Sequence, residues 1–325
     1  MSLSRREFLG SVGAAAAVVA VPRHAEAQTG AHDLAAIPNG TALRDSARRV
    51  VLAYLTTKPE GLAGNSACCI HPLNTPGGAR VTDLAPSDHR DHRGIFFAWH
   101  DVEFKKGNEV LKGDFWGWGR FAPVQDRVIV NRDLKLVRAD ARTAEIEMLN
   151  DWTIAGVPVM QERTTVVAGQ EQGARVLDLS FRFSSADYDV TINQMAFTGF
   201  TFRCRKDGVY TFFDSEGEVT PERLPNSSAT NSATDWPGRP WYGHQLTLAD
   251  GQVISAAVID HPSNPPSLWH GARSVSFLNP CVSALQPLRI ARGSTLTLRY
   301  RAVALDGPLP GRTLDSMASG WRSRS

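Results

Sequence analysis

Val176-Leu177-Asp178-Leu179-Ser180-Phe181-Arg182-Phe183 alternates large apolar residues with polar ones from Leu177 onward. Successive side chains of an extended strand point to opposite faces, so this period of two describes a strand with one buried and one wetted face. The run 296–303 repeats the pattern, with Leu296, Leu298 and Tyr300 on one side and Arg299 and Arg301 on the other. Working outward, further runs rich in β-branched and aromatic residues occupy Val50–Leu55, 67–71, 95–102, 127–130, 144–149, 159–167, 175–183 and 254–259. Gly, Pro, Asn or Asp bounds most of them, which is how strands are punctuated. No segment keeps a helical period, so helices should be few and short. Many one-sided strands are best satisfied by two antiparallel sheets packed face to face, and the expected fold is an all-β antiparallel β-sandwich.

The N-terminus carries a different message. Ser4-Arg5-Arg6-Glu7-Phe8-Leu9 precedes an apolar run at 10–21, and Ala25-Glu26-Ala27 has the small-x-small form of a cleavage site. Paired arginines in this setting are a twin-arginine export address, and the run is shorter than the ~20 apolar residues that span a bilayer. The expected organisation is a signal at 1–27, a linker at 28–47, one β-sandwich domain at 48–310 and a tail at 311–325. The mature chain is then expected in the periplasm or outside the cell, with no stable membrane insertion. A net charge of +2 and the lack of a basic stripe give no reason to expect a nucleic-acid partner. Cys68, Cys69, Cys204 and Cys281 are too few for a disulfide scaffold and contain no CxxC pair, so stability should come from the core.

Two clusters hold the residues able to do chemistry. Four of the nine histidines lie between 71 and 100. They fall in His71-Pro72-Leu73, Asp88-His89-Arg90-Asp91-His92-Arg93-Gly94 and Trp99-His100-Asp101, and Asp114-Phe115-Trp116 follows. Imidazoles titrate near neutrality and ligate metals, and a guanidinium can grip a carboxylate or a polarised oxygen. His89 and His92 are therefore the acid/base candidates, with Asp88 or Asp91 tuning them, and they are also the ligands of any divalent metal. Arg93, His71, His100 and Trp116 are expected to contact substrate. The second cluster runs from Asp235-Trp236 through Arg239, Trp241 and His244 to Asp260-His261-Pro262-Ser263-Asn264 and Trp269-His270. Aromatic faces beside polar groups suit a sugar. From it Trp236, Arg239, Trp241, Asp260 and Asn264 are expected to bind substrate, and His261 to act with Asp260 from a wall opposite His92.

These motifs, with the closing Leu298-Arg299-Tyr300-Arg301, resemble a bacterial domain family of unknown function that has circulated under the label "methane oxygenase PmoA". The resemblance covers about residues 48–307. The family commonly has a histidine immediately before its final His-Arg-Gly, where this chain has Asp91. Particulate methane oxygenase subunits are membrane proteins, and the mature chain has no apolar run of spanning length. Members tend to sit beside sugar-processing enzymes, and the resemblance implies carbohydrate metabolism on a galactose-mutarotase-like β-sandwich, a class that uses His and a carboxylate for proton transfer.

Three readings remain open at this stage. One is a periplasmic enzyme using His/Asp general acid–base chemistry on a sugar or oxidised sugar, as a lyase, hydrolase or epimerase. Another is a glycan-binding protein with Trp236, Trp241 and Trp269 as platforms. The third is a metal-dependent oxygenase, as the family label suggests. The partner in the first two is a small molecule or oligosaccharide.

Overall fold

The computed structural model describes residues 31–323, and the expected twin-arginine signal lies outside them. The alternating octet sits in Ala174–Ser184, near the middle of a nine-stranded antiparallel sheet. Its neighbour Thr295–Asp306 pairs Leu179 with Tyr300 and Phe181 with Leu298, so both alternations turn the same face inward. On the other side follow Val157–Glu171, Ala144–Ile154 and Arg127–Ala139. Two-residue turns, Ala155-Gly156 and Gln172-Gly173, join three of these strands, and all four residues have positive φ. That is the type I′ conformation, whose twist matches the strands it links. Val253–Asp260, Trp241–Thr247, Val209–Asp214 and Gly217–Glu218 complete the sheet beyond Thr295–Asp306.

A seven-stranded sheet packs against it, in the order Asp33–Ile37, Gly40–Arg44, Val50–Leu55, Cys69–Leu73, Ile95–Ala98, Gly199–Arg203 and Phe277–Leu278. Aromatic side chains form the seam. Phe97 lies 5.0 Å from Phe181 and 4.8 Å from Phe183, Trp99 lies 5.3 Å from Trp152, and Phe200 stacks on Tyr300 at 4.3 Å. Each such buried side chain contributes about 1.5–3 kcal/mol. Because the strands alternate, Phe96, Thr201, Arg203 and Phe277 project from the opposite, outer face, as the pairs Phe96–Thr201 and Arg203–Phe277 require.

Three boundary expectations are corrected. The expected linker at 28–47 contains a hairpin, Asp33–Ile37 with Gly40–Arg44, which edges the seven-stranded sheet and is tied by an Arg44–Asp33 ion pair at 2.6 Å. The expected tail at 311–325 contains the helix Gly311–Arg322, whose Leu314, Met317, Ala318 and Trp321 cover Trp241, Ile259, Val303 and Leu305 on the outer face of the nine-stranded sheet. The run at 95–102 breaks into Ile95–Ala98 and Val102–Lys106, which belong to different sheets. The second joins Glu109–Gly113, Asp189–Ile192 and Leu288–Ile290 in a four-stranded sheet. All four cysteines are free and buried, and among the described residues no helix is long and apolar enough to cross a membrane.

Candidate functional site

The outer face of the seven-stranded sheet carries a cavity of about 130 Å³. Its polar lining is His89, Asp91, His92 and His270, and its aromatic walls are Trp116, Trp118, Phe197 and Phe277. The turn 88–93 delivers the first three just before Ile95–Ala98. Trp116 and Trp118 come from the loop after Glu109–Gly113, Phe197 from the segment before Gly199–Arg203, and His270 from the chain after Leu268–Trp269.

His92 is buried, with its ring 5.6 Å from those of Trp116 and Phe277. Its Nδ1 lies 3.3 Å from Arg203 Nη1. A guanidinium only donates, so Nδ1 accepts and the proton of the neutral ring sits on Nε2. Burial first, then the Arg203 charge, holds the His92 pKa well below the ordinary value. His92 is thus a neutral hydrogen-bond donor, with Nε2 4.0 Å from Asp91 Oδ2, which corrects its expected role as an acid/base.

His89 stacks on His92 at 4.8 Å and is partly exposed. Its Nδ1 is 3.0 Å from Asp88 Oδ2. Asp88 also accepts two bonds from Arg203 at 2.9 Å and pairs with Lys206 at 2.9 Å. Burial raises the Asp88 carboxyl, but the bonds from Lys206, Arg203 and His89 outweigh it and hold the group well below the usual carboxylate range. The Asp88 carboxylate accepts from His89 Nδ1–H, so in the neutral ring the lone pair lies on Nε2.

His270 repeats the arrangement from the other end of the chain. Its Nδ1 lies 2.8 Å from Asp235 Oδ1, and its ring packs 4.9 Å from Phe197 and 5.7 Å from Phe277. Burial pushes the Asp235 carboxyl up, and the His270 bond pulls against it. Both residues fall within the second sequence cluster, but neither has an expected role there. An antiparallel bridge between Trp236 and Trp269 brings them together, and nothing in their spacing announces it.

Several expected contacts lie elsewhere. Arg93 is fully buried and spends its donors on the carbonyls of Ala67, Asp91 and Trp116 at 2.9, 3.1 and 3.3 Å, so it fastens the walls instead of facing the cavity. His71 bonds Thr82 Oγ1 at 3.0 Å, and burial with Arg80 nearby pushes its imidazole down to about 4. His100 is fully buried behind Trp116, stacked at 4.5 Å, with Nδ1 3.5 Å from Asp114 Oδ2. Trp236, Trp241 and Trp269 are all buried and none of them lines the cavity, which removes the expected platforms. Trp241 Nε1 donates to Asp315 of the helix at 2.8 Å, and Arg239 pairs with Glu216 at 2.6 Å.

The expected opposite wall is also corrected. Asp260 accepts from Asn264 and Ser267, both at 2.7 Å, which closes a structural turn. Asn264 in turn holds the backbone of Arg299. His261 packs edge-on against Trp321 at 4.7 Å and lines a different groove, on the nine-stranded sheet.

The metal expectation can be tested on the donors present. His89 and His92 lie ring on ring, with each Nδ1 engaged, and the described residues hold no group of three or more His, Cys, Asp or Glu placed to bind an ion. The arrangement does not fit a metal held by these two histidines.

No curated protein matches the chain. Among solved structures it is similar to a galactose mutarotase related enzyme from Lactobacillus acidophilus, at 6% identity, over 84% of this chain and 97% of that one, with a TM-score of 0.37. It is similar to the Slr1438 protein from Synechocystis sp. PCC 6803 at 8% identity, over 85% and 96% of the two chains, with a TM-score of 0.34. A TPR-domain containing protein from Parabacteroides distasonis ATCC 8503 matches at 10% identity over 84% of this chain and 46% of that one, with a TM-score of 0.31. The model of a family of unknown function, DUF6807, matches residues 45–319. That span takes in the nine-stranded sheet, all of the seven-stranded sheet but its edge hairpin at 33–44, and every residue of the cavity, and the chain belongs to the DUF6807 family.

Proposed function

We propose that the protein is an exported, periplasmic carbohydrate-active enzyme that moves protons at one ring of a sugar or keto-sugar. The observation that supports this most is the meeting of two histidine–carboxylate pairs, His89–Asp88 and His270–Asp235, at one aromatic-walled cavity. In each pair the carboxylate accepts a hydrogen bond from Nδ1–H, so Nε2 is the atom available to a ligand. One imidazole accepts a proton from a sugar carbon or hydroxyl and the other, protonated, returns one, which suits an epimerisation or an elimination. His92 Nε2–H donates to the oxygen on which charge develops, as a neutral imidazole can. Trp116 and Phe277 stack on the apolar face of the ring. The reading does not depend on the PmoA label, and no step in it passes through a metal.

The test is proton exchange in D2O. Glycosides and their keto derivatives are incubated with the mature protein, with and without chelator, and followed by NMR. Wild type should wash deuterium into one ring position of at least one compound, with or without chelator, and His89→Gln and His270→Gln should each abolish this while keeping native circular dichroism. Sugar binding without exchange or product, unchanged in both variants, would replace the enzyme with a binding protein.

A further inference from the structure

The cavity is smaller than the ligand its surroundings suit. At about 130 Å³ it falls below the 300–1,000 Å³ of ordinary ligand sites and near the size of a cavity that holds one benzene ring. One six-membered ring fills it. Beside the mouth stands a pair of partly exposed aromatic residues. Trp118 and Phe121 are each 38% exposed, and they are the only aromatics among the exposed large hydrophobic residues described; the others are scattered valines and a leucine. Single exposed apolar residues need no explanation, but two adjacent aromatic rings at a cavity rim mark a contact surface.

The pair is built as a shelf. Its rings lie 5.5 Å apart at 69°. The Arg120 guanidinium lies 5.2 Å from the Trp118 centroid and 5.6 Å from that of Phe121, and among the described residues it forms no ion pair. The loop beneath is fixed: Asp114 accepts from the backbone N–H of Trp116, Gly117 and Gly119 at 2.8, 2.9 and 2.7 Å. Gly117 and Gly119 hold φ of 117° and 73°, conformations closed to most side chains, and Trp118 is presented between them. Trp118 also lines the cavity, so cavity and shelf are one continuous surface.

We propose that Trp118, Arg120 and Phe121 form a second subsite, which takes the sugar ring adjoining the one held in the cavity. The ligand is then an oligosaccharide, its terminal ring enclosed and its next ring stacked on the shelf with hydroxyls accepting from Arg120. The proposal rests on the sugar reading given above.

The test compares glucose, galactose and xylose with cellobiose, lactose and xylobiose by isothermal titration against the mature chain. At least one disaccharide should bind about tenfold tighter than the monosaccharide at its non-reducing end, the size expected for one stacked ring. Phe121→Ala and Arg120→Ala should each erase most of that gain and leave monosaccharide affinity unchanged. Both side chains are exposed, so the variants should fold as wild type. Equal affinities for single and paired sugars, or a disaccharide gain untouched by both variants, would overturn the subsite and leave the cavity reading standing. Failure of every sugar to bind would overturn both.

Discussion

Arg203 Nη1 lies 3.3 Å from His92 Nδ1, and the same guanidinium holds Asp88 through two bonds of 2.9 Å. One buried cation therefore sets the proton position on one histidine and, through Asp88, on its stacked neighbour His89. Arg203→Met should release both rings. NMR of labelled histidine should show His92 as the neutral Nε2–H form at pH 7 in wild type and a mixture of forms in the variant. Unchanged histidine spectra would remove Arg203 from this role.

Asp235→Asn is expected to keep the volume and lose the charge that orients His270. An amide can donate to Nδ1, which favours the tautomer with its proton on the cavity side. Turnover should fall by about 10²–10⁴-fold with ligand affinity within about threefold of wild type. Steady-state kinetics and titration on the same preparation check this. Full activity in the variant would place the chemistry elsewhere.

Stability should fall steeply on mild acidification. Burial pushes His71 to about 4 and His244 to about 3, and it holds His92 well below its ordinary value as well. The unfolded chain binds these protons from about pH 6.5 downward while the folded protein refuses them, so the stabilisation present above pH 6.5 is lost as pH falls toward the folded values. By pH 5 the loss is about 2 kcal/mol for each of His71 and His244. Urea unfolding at pH 7.5 and pH 5.0 measures it, and His244→Phe should flatten the difference. Equal stability at the two pH values would contradict the burial of these rings.

Arg93→Met should cost at least about 3 kcal/mol, because it strands buried carbonyls of Ala67, Asp91 and Trp116 that the guanidinium satisfies. Lysine lacks the planar fork and should recover less than half. Thermal melts of the three proteins check the ranking. A melt of Arg93→Met within a degree or two of wild type would show that the fork is dispensable.

Neutral sugars should be preferred over acidic ones. Among the described residues, Asp91 is the only carboxylate that lines the cavity, and no lysine or arginine does. A uronic acid should bind about tenfold more weakly than its parent sugar, and Asp91→Asn should narrow the gap. Tighter binding of the acid than of its parent sugar would overturn this preference.

The sandwich was legible because burial on one side writes itself into alternation, as in Leu177, Leu179, Phe181 and Phe183. The helix at 311–322 was less so, since Gly311, Ser316 and Gly320 dilute the spacing of Leu314, Met317, Ala318 and Trp321. Half of the site was visible for a simple reason: His89, Asp91 and His92 sit in one turn that feeds a rigid strand. In the other half the residues stood in the second cluster, but their pairing was hidden because His270 and Asp235 meet only through a tertiary bridge. Asp260-His261-Pro262 misled for a physical reason as well. A turn that must satisfy its own backbone recruits the same Asp, His, Ser and Asn that a catalytic loop does.

The cavity draws its walls from turn 88–93, from Trp116 and Trp118, from Phe197 and from 270–277, so no contiguous stretch of the gene encodes it. Its parts converge only after strands far apart in the chain have paired, and such non-local pairing comes late in folding. Limited proteolysis or gene splitting should therefore yield pieces that keep local β structure but bind nothing. Binding competence should then arrive all at once, with the last strands to dock.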